Sequence, residues 1–66
     1  MSVARVTEIT ADSKKDFKTA IDNAIERANQ TLDQIEGAWI QDLKVTVKDG
    51  KVDKYRVNLK VTFVLK

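Results

Sequence analysis

From Tyr55 to the end of this 66-residue chain, apolar side chains occupy every second position. The alternation predicts a half-buried β-strand, because successive side chains of a strand point to opposite faces. A strand from Val52 to Lys66 would extend for roughly 50 Å at about 3.4 Å per residue, and one helix of about 33 Å cannot cover it. We therefore expect an apolar overhang at Phe63 and Leu65 that must be covered by a second copy of the chain.

A second apolar pattern, over residues 14 to 35, has helical spacing. Its members are Phe17, Ala20, Ile21, Ala24, Ile25, Ala28, Leu32 and Ile35. Recurrence at steps of three and four predicts one amphipathic helix. Ser13, with Asp12 as the alternative, is expected to cap its N-terminus, and Asp16 completes a capping box. Gly37 is the predicted stop signal.

The segment that begins at Trp39 also alternates, and Asp49-Gly50 then marks a hairpin into the last strand. A two-residue loop would set apolar side chains opposite charged ones. A three-residue loop over 48–50, with Gly50 in the left-handed region, brings the two apolar faces together. That register pairs Trp39 with Leu59.

The remaining segment, Val3 to Thr10, is a further predicted strand, which gives the order strand, helix, strand, strand. If the helix is a crossover, the first two strands run parallel and the last lies between them. We thus predict an α+β fold, in which a three-stranded antiparallel-type sheet curls around one helix. Residues 1–66 are expected to form a single domain.

The chain has no Cys and no His. Disulfides, thiolate chemistry, nucleophile–histidine catalysis and the usual zinc sites are therefore excluded. The carboxylates show no recognised catalytic spacing, so we predict that the protein is not an enzyme. A chain of this length buries only a small core, which makes association with further copies the expected source of additional stability.

The net charge of +2 does not require an anionic partner. The last hairpin is locally cationic, but a sheet that binds single-stranded nucleic acid also needs exposed aromatic rings, so we expect no nucleic-acid binding. We see no secretory signal and no apolar stretch near the ~20 residues of a membrane span. These features predict a cytoplasmic protein with no membrane partner.

Trp39 is the only Trp of the chain. Two roles are open to it from the sequence. The indole ring could stack on a planar ligand, or it could cap the apolar face of the sheet or an interface.

These features together resemble the dodecin family, whose members are small proteins that assemble as hollow homododecamers. The resemblance rests on Arg5 to Ile9 followed by Ser13, on Ala20, Ala24, Arg27, Ala28, Thr31 and Leu32, and on Tyr55 to Phe63. Flavin-binding dodecins stack flavins on a Trp at the start of the second strand, and a Gln of the third strand contacts the ring edge. In this chain those positions are Gly37 and Arg56. Absence of that Trp makes the chain more similar to the flavin-free branch, the calcium dodecins.

The resemblance implies a non-catalytic shell that stores or buffers a small ligand or ion. For a calcium-type protein, the candidate donors are Glu8, Glu36 and Asp42, which the symmetry of an assembly would multiply. One alternative is a flavin-binding dodecin that holds riboflavin or FMN, with Trp39 as the substitute stacking residue. Another is a purely structural assembly with no specific ligand. Arg56 either lines a ligand pocket or pairs with an acid such as Glu8 of a neighbouring subunit.

Overall fold

The computed structural model describes residues 3–32 and 34–65. It consists of β1 (Val3–Ser13), α1 (Phe17–Asn29), β2 (Ile35–Lys48) and β3 (Lys51–Leu65). The longest strand, β3, lies in the centre of the sheet, and both β1 and β2 pair with it in antiparallel orientation. The predicted α+β fold and strand order are therefore confirmed.

The core forms where the apolar face of β3 meets the apolar stripe of α1. Its fully buried members are Ala20, Ala24, Ala28, Val57, Leu59 and Val61. Small alanine side chains on the helix allow it to lie close to the larger side chains of the strand. The prediction of an exposed overhang is wrong at Phe63, because this side chain is only 9% exposed and belongs to the core. Leu65 remains 45% exposed beyond it.

The start of α1 differs from the prediction. Asp16 is the N-cap, and its Oδ1 accepts a hydrogen bond of 2.7 Å from the Thr19 backbone N–H. This bond holds the pKa of Asp16 below its ordinary value, because it stabilises the carboxylate. Ser13 ends β1 instead, and its Oγ accepts a hydrogen bond of 3.0 Å from the backbone N–H of Lys15.

The end of α1 also comes earlier than the apolar stripe suggested. The helix stops at Asn29, and the chain then turns through Gln34, whose φ is 53°. Gly37 is not the stop signal, since it lies inside β2. Leu32 and Ile35 still pack against the core from outside the helix, which explains why the stripe appears continuous in the sequence.

The hairpin between β2 and β3 has a two-residue loop, not the predicted three-residue loop. Asp49 and Gly50 both have positive φ, 53° and 74°, as a type I′ turn requires, and Lys48 pairs with Lys51. The register shifts after the next pair, Val47 with Val52, so Asp53 is an extra residue in β3. This bulge restores apolar residues opposite apolar residues, so the longer loop is not needed.

Another bulge, whose extra residue lies in β2, changes the position of Trp39. Gln41 is an extra residue between the pairs formed by Ile40 and by Asp42 with β3. Because one extra residue reverses the alternation, Ile40 now lies opposite Leu59 on the helix side. The predicted pairing of Trp39 with Leu59 is therefore wrong. Trp39 lies opposite Lys60, on the face that points away from the helix.

The helix leaves a large part of the sheet uncovered. It packs mainly on β1 and β3 and is about 20 Å long, whereas the molecule extends for 51 Å. A row of aliphatic side chains on the helix side of the hairpin is 37% to 65% exposed. We call this row the apolar strip, and it consists of Ile40, Leu43, Val45, Val47 and Val52. In residues 3–32 and 34–65, no helix is long and apolar enough to cross a membrane.

Candidate ligand site on the polar face

The face of the sheet opposite α1 carries most of the polar side chains, and we call it the polar face. The antiparallel registers place its residues in rows across β1, β3 and β2. The rows are Asp12, Arg56 and Lys44; Thr10, Asn58 and Asp42; Glu8, Lys60 and Trp39; and Val6, Thr62 and Gly37. Five of the six predicted site residues therefore share one face.

Two contacts join β3 to β1 on this face. The Nη2 atom of Arg56 lies 3.3 Å from Oδ2 of Asp12, and both side chains are partly exposed. In the next row, Nδ2 of Asn58 donates a hydrogen bond of 2.9 Å to Oγ1 of Thr10. Arg56 is thus paired with Asp12 of its own chain, a partner that the sequence did not predict.

A pocket of about 440 Å³ lies in the middle of the polar face. Its lining residues are Glu8, Thr10, Gln41, Asp42, Lys44, Arg56 and Asn58. Of the predicted site residues, the pocket brings together Glu8, Asp42 and Arg56. The two carboxylates are matched by two cations, and the lining side chains that we can describe include no aromatic ring. The pocket is therefore suited to a polar or charged ligand rather than to a stacked ring.

Glu36 does not join the other two predicted carboxylates. It is the extra residue of a further bulge in β2, is exposed to solvent, and lies outside the pocket lining. Within the described part of the chain, no three acidic side chains come close enough together to hold a metal ion. The pocket of one chain therefore contains two carboxylates and three neutral side chains that carry oxygen atoms, Thr10, Gln41 and Asn58.

Trp39 and Gly37 lie beside the pocket and not in its wall. Trp39 is 64% exposed, and Nζ of Lys60 lies 5.7 Å from the centre of its ring, within the range of a cation–π contact. Gly37 sits one row further along, and a Cβ atom added there would meet nothing within 4 Å. The exposed indole and the open space at Gly37 therefore lie in adjacent rows at one end of the polar face.

Comparison with known proteins shows which family has this sequence pattern and fold. The sequence model of the dodecin family matches residues 3–66. A dodecin from Streptomyces davaonensis has a TM-score of 0.94 and 32% identity, with 98% of this chain and 96% of that chain covered. A dodecin variant from T. thermophilus has a TM-score of 0.95 and 27% identity, with coverages of 100% and 98%.

A protein described as a calcium dodecin from Mycobacterium tuberculosis has a TM-score of 0.85 and 30% identity. The alignment covers 98% of this chain and 93% of that one. No curated protein sequence matches the chain. The match to the family over nearly the whole length, together with the strand order and the structural likeness, shows that the chain belongs to the dodecin family.

Proposed function

We propose that residues 1–66 form one subunit of a cytoplasmic homododecamer of the flavin-free, calcium-type branch. This shell stores or buffers a small cation and carries out no catalysis. The observation that carries the proposal is the composition of the pocket, where the carboxylates of Glu8 and Asp42 meet three neutral oxygen-bearing side chains without an aromatic ring among the described lining residues.

The apolar strip supports the proposed assembly. Five adjacent aliphatic side chains remain exposed on the helix side of the hairpin. A core of seven buried residues, three of them alanines, gives a chain of this length limited stability on its own. Burial of the strip against further copies would remove the exposed apolar surface and enlarge the core.

The donor chemistry of the pocket fits a hard cation. Calcium takes six to eight oxygen ligands from carboxylates, amide and carbonyl oxygens, hydroxyls and water. Glu8 and Asp42 would supply the negative charge, and Thr10, Gln41 and Asn58 would supply neutral oxygens. Glu8 and Asp42 would balance the charge of a bound calcium ion, and the neutral side chains would complete its shell of oxygen ligands. Lys44 and Arg56 line the same pocket and balance the charge of the two carboxylates, which favours weak, reversible binding of a cation.

A flavin-binding role is the second candidate, and the exposure of Trp39 on the polar face favours it. An isoalloxazine ring could lie on the indole and extend over the open space at Gly37. Two features weigh against this role. The position of the stacking Trp in flavin-binding dodecins is a glycine here, and the position of the ring-edge Gln is Arg56.

Gel filtration with in-line mass determination, followed by calcium titration in a calorimeter, tests the proposal. We expect a particle of twelve subunits that binds calcium, and we expect Asp42→Asn to weaken binding at least tenfold. Glu26→Gln is the matched control, because it removes one carboxylate from the exposed surface of α1 and leaves the pocket intact.

A twelve-subunit particle that does not bind calcium but quenches riboflavin or FMN fluorescence would support the flavin role. Loss of that quenching in Trp39→Ala would assign the stacking to Trp39. A particle that binds neither ligand would contradict both ligand proposals and leave a purely structural assembly. A monomer would contradict the proposed assembly.

A further inference from the structure

We propose that Asp12 is a positioning residue that holds the Arg56 guanidinium away from the carboxylates of the pocket and so keeps Glu8 and Asp42 available to a cation. The inference rests on the calcium-type function proposed above, and it assigns a role to a residue that does not line the pocket. The carrying observation is the contact of 3.3 Å between Arg56 Nη2 and Asp12 Oδ2.

Arg56 lies between an acidic neighbour on one strand and a basic neighbour on the other. On β1 its partner across the strands is Asp12, and on β2 its partner is Lys44. Like charges directly opposite each other on one face repel, and unlike charges attract. Both effects move the guanidinium towards β1. The hydrogen bond from Asn58 to Thr10 draws the next β3 side chain in the same direction.

The consequence concerns the carboxylates that share the pocket with Arg56. A guanidinium binds carboxylates strongly through bidentate hydrogen bonds, so an unrestrained Arg56 would compete with a metal ion for Glu8 or Asp42. In the described part of the chain, neither of these two acids forms an ion pair. Asp12 accounts for this, because it supplies Arg56 with a carboxylate outside the pocket lining.

Calcium titrations of wild-type protein, Asp12→Asn, Arg56→Gln and the double variant test the inference. Asp12→Asn keeps the size of the side chain and removes its charge. We expect it to weaken calcium binding about fivefold to tenfold, because the released Arg56 guanidinium would compete with calcium for Glu8 or Asp42. In the Arg56→Gln background, the same change should alter affinity by less than twofold. Asp12→Glu, which preserves the ion pair, should bind as the wild type does.

The two backgrounds separate positioning from other roles. An equal loss of affinity with and without Arg56 would show that Asp12 acts through its own charge, and an unchanged affinity in Asp12→Asn would show no role at all. Either result overturns the inference. Gel filtration of each variant checks that the assembly is intact.

A crystal structure of Asp12→Asn gives a readout that does not depend on calcium. We expect the Arg56 guanidinium within hydrogen-bond distance of Glu8 or Asp42. A guanidinium that stays beside residue 12 would overturn the inference even if the wild type binds calcium. Failure of the wild type to bind calcium would overturn the proposed function, while the position of Arg56 in the variant would still decide whether Asp12 holds it.

Discussion

Replacement of Leu43 by lysine should break the proposed assembly without unfolding the single chain. Leu43 belongs to the apolar strip and is 51% exposed in the single chain. Complete burial of an exposed aliphatic side chain is worth about 2 kcal/mol. The strip residues are 37% to 65% exposed, so their burial between subunits is worth about 1 kcal/mol each, or about 5 kcal/mol per chain.

The lysine has two effects on this balance. It removes the contribution of Leu43, about 1 kcal/mol, and it places an ammonium group in an apolar contact, which costs several kcal/mol when the charge is unpaired. The sum is comparable to the gain from the whole strip. In the separate subunit, the lysine can extend its charged end into water along the apolar surface, so the fold itself should tolerate the change.

Gel filtration with in-line light scattering and circular dichroism provides the assay. We expect Leu43→Lys to elute as a monomer or small oligomer with native helix and sheet content. Val6→Lys is the matched control, since Val6 is 53% exposed but lies on the polar face, and it should keep the mass of the wild type. A Leu43→Lys protein of unchanged mass would refute the assignment of the strip to the interface. Dissociation by both changes would show that the contact is not confined to the strip.

Three further predictions concern the polar face and the helix. Gly37→Trp should raise affinity for riboflavin at least tenfold, measured by fluorescence quenching, because position 37 corresponds to the stacking Trp of flavin-binding dodecins and a Cβ atom added there would meet nothing within 4 Å; unchanged affinity would contradict a stacking position at this end of the polar face. Lys44→Gln should strengthen calcium binding severalfold in the calorimeter, because it removes a positive charge from the pocket, and equal or weaker binding would contradict a cation site there. The pKa of Asp16 is lowered in the folded protein from its ordinary value of 3.8, so its contribution to stability is present above that value and is lost as pH falls through the folded pKa. Thermal unfolding as a function of pH should therefore show a smaller loss of stability below pH 3.8 in Asp16→Asn than in the wild type, and parallel curves would contradict the capping role.

The fold could be predicted from the sequence because its main signals are periodic. The alternation that starts at Tyr55 defines β3. Its members Val57, Leu59 and Val61 are buried in the core, as expected. The strand order also follows, since a crossover helix leaves the central position to the last strand. The ends of α1 could not be predicted, because Leu32 and Ile35 continue the helical spacing although they pack from a loop and a strand.

The register of β2 was predictable only in part. The expected apolar face is correct at Leu43, Val45 and Val47, and it fails at Trp39. The cause is the bulge at Gln41, which contains no glycine and gives no signal in the sequence. A single extra residue there moves Trp39 from the helix side to the polar face. The bulge therefore places Trp39, for which the sequence left both a packing and a ligand-binding role open, on the polar face.

The contact between Asp12 and Arg56 could not be found from the sequence for a related reason. The two residues are 44 positions apart, so only the register of β1 against β3 brings them together. That register is hard to predict, because Val6 lies on the polar face and breaks the apolar alternation of β1. Once the register is known, Arg56 is no longer simply a cation where an amide is expected. It forms half of an ion pair, so its effect on a ligand depends on whether Asp12 holds it, and replacing Arg56 alone cannot show what the pocket binds.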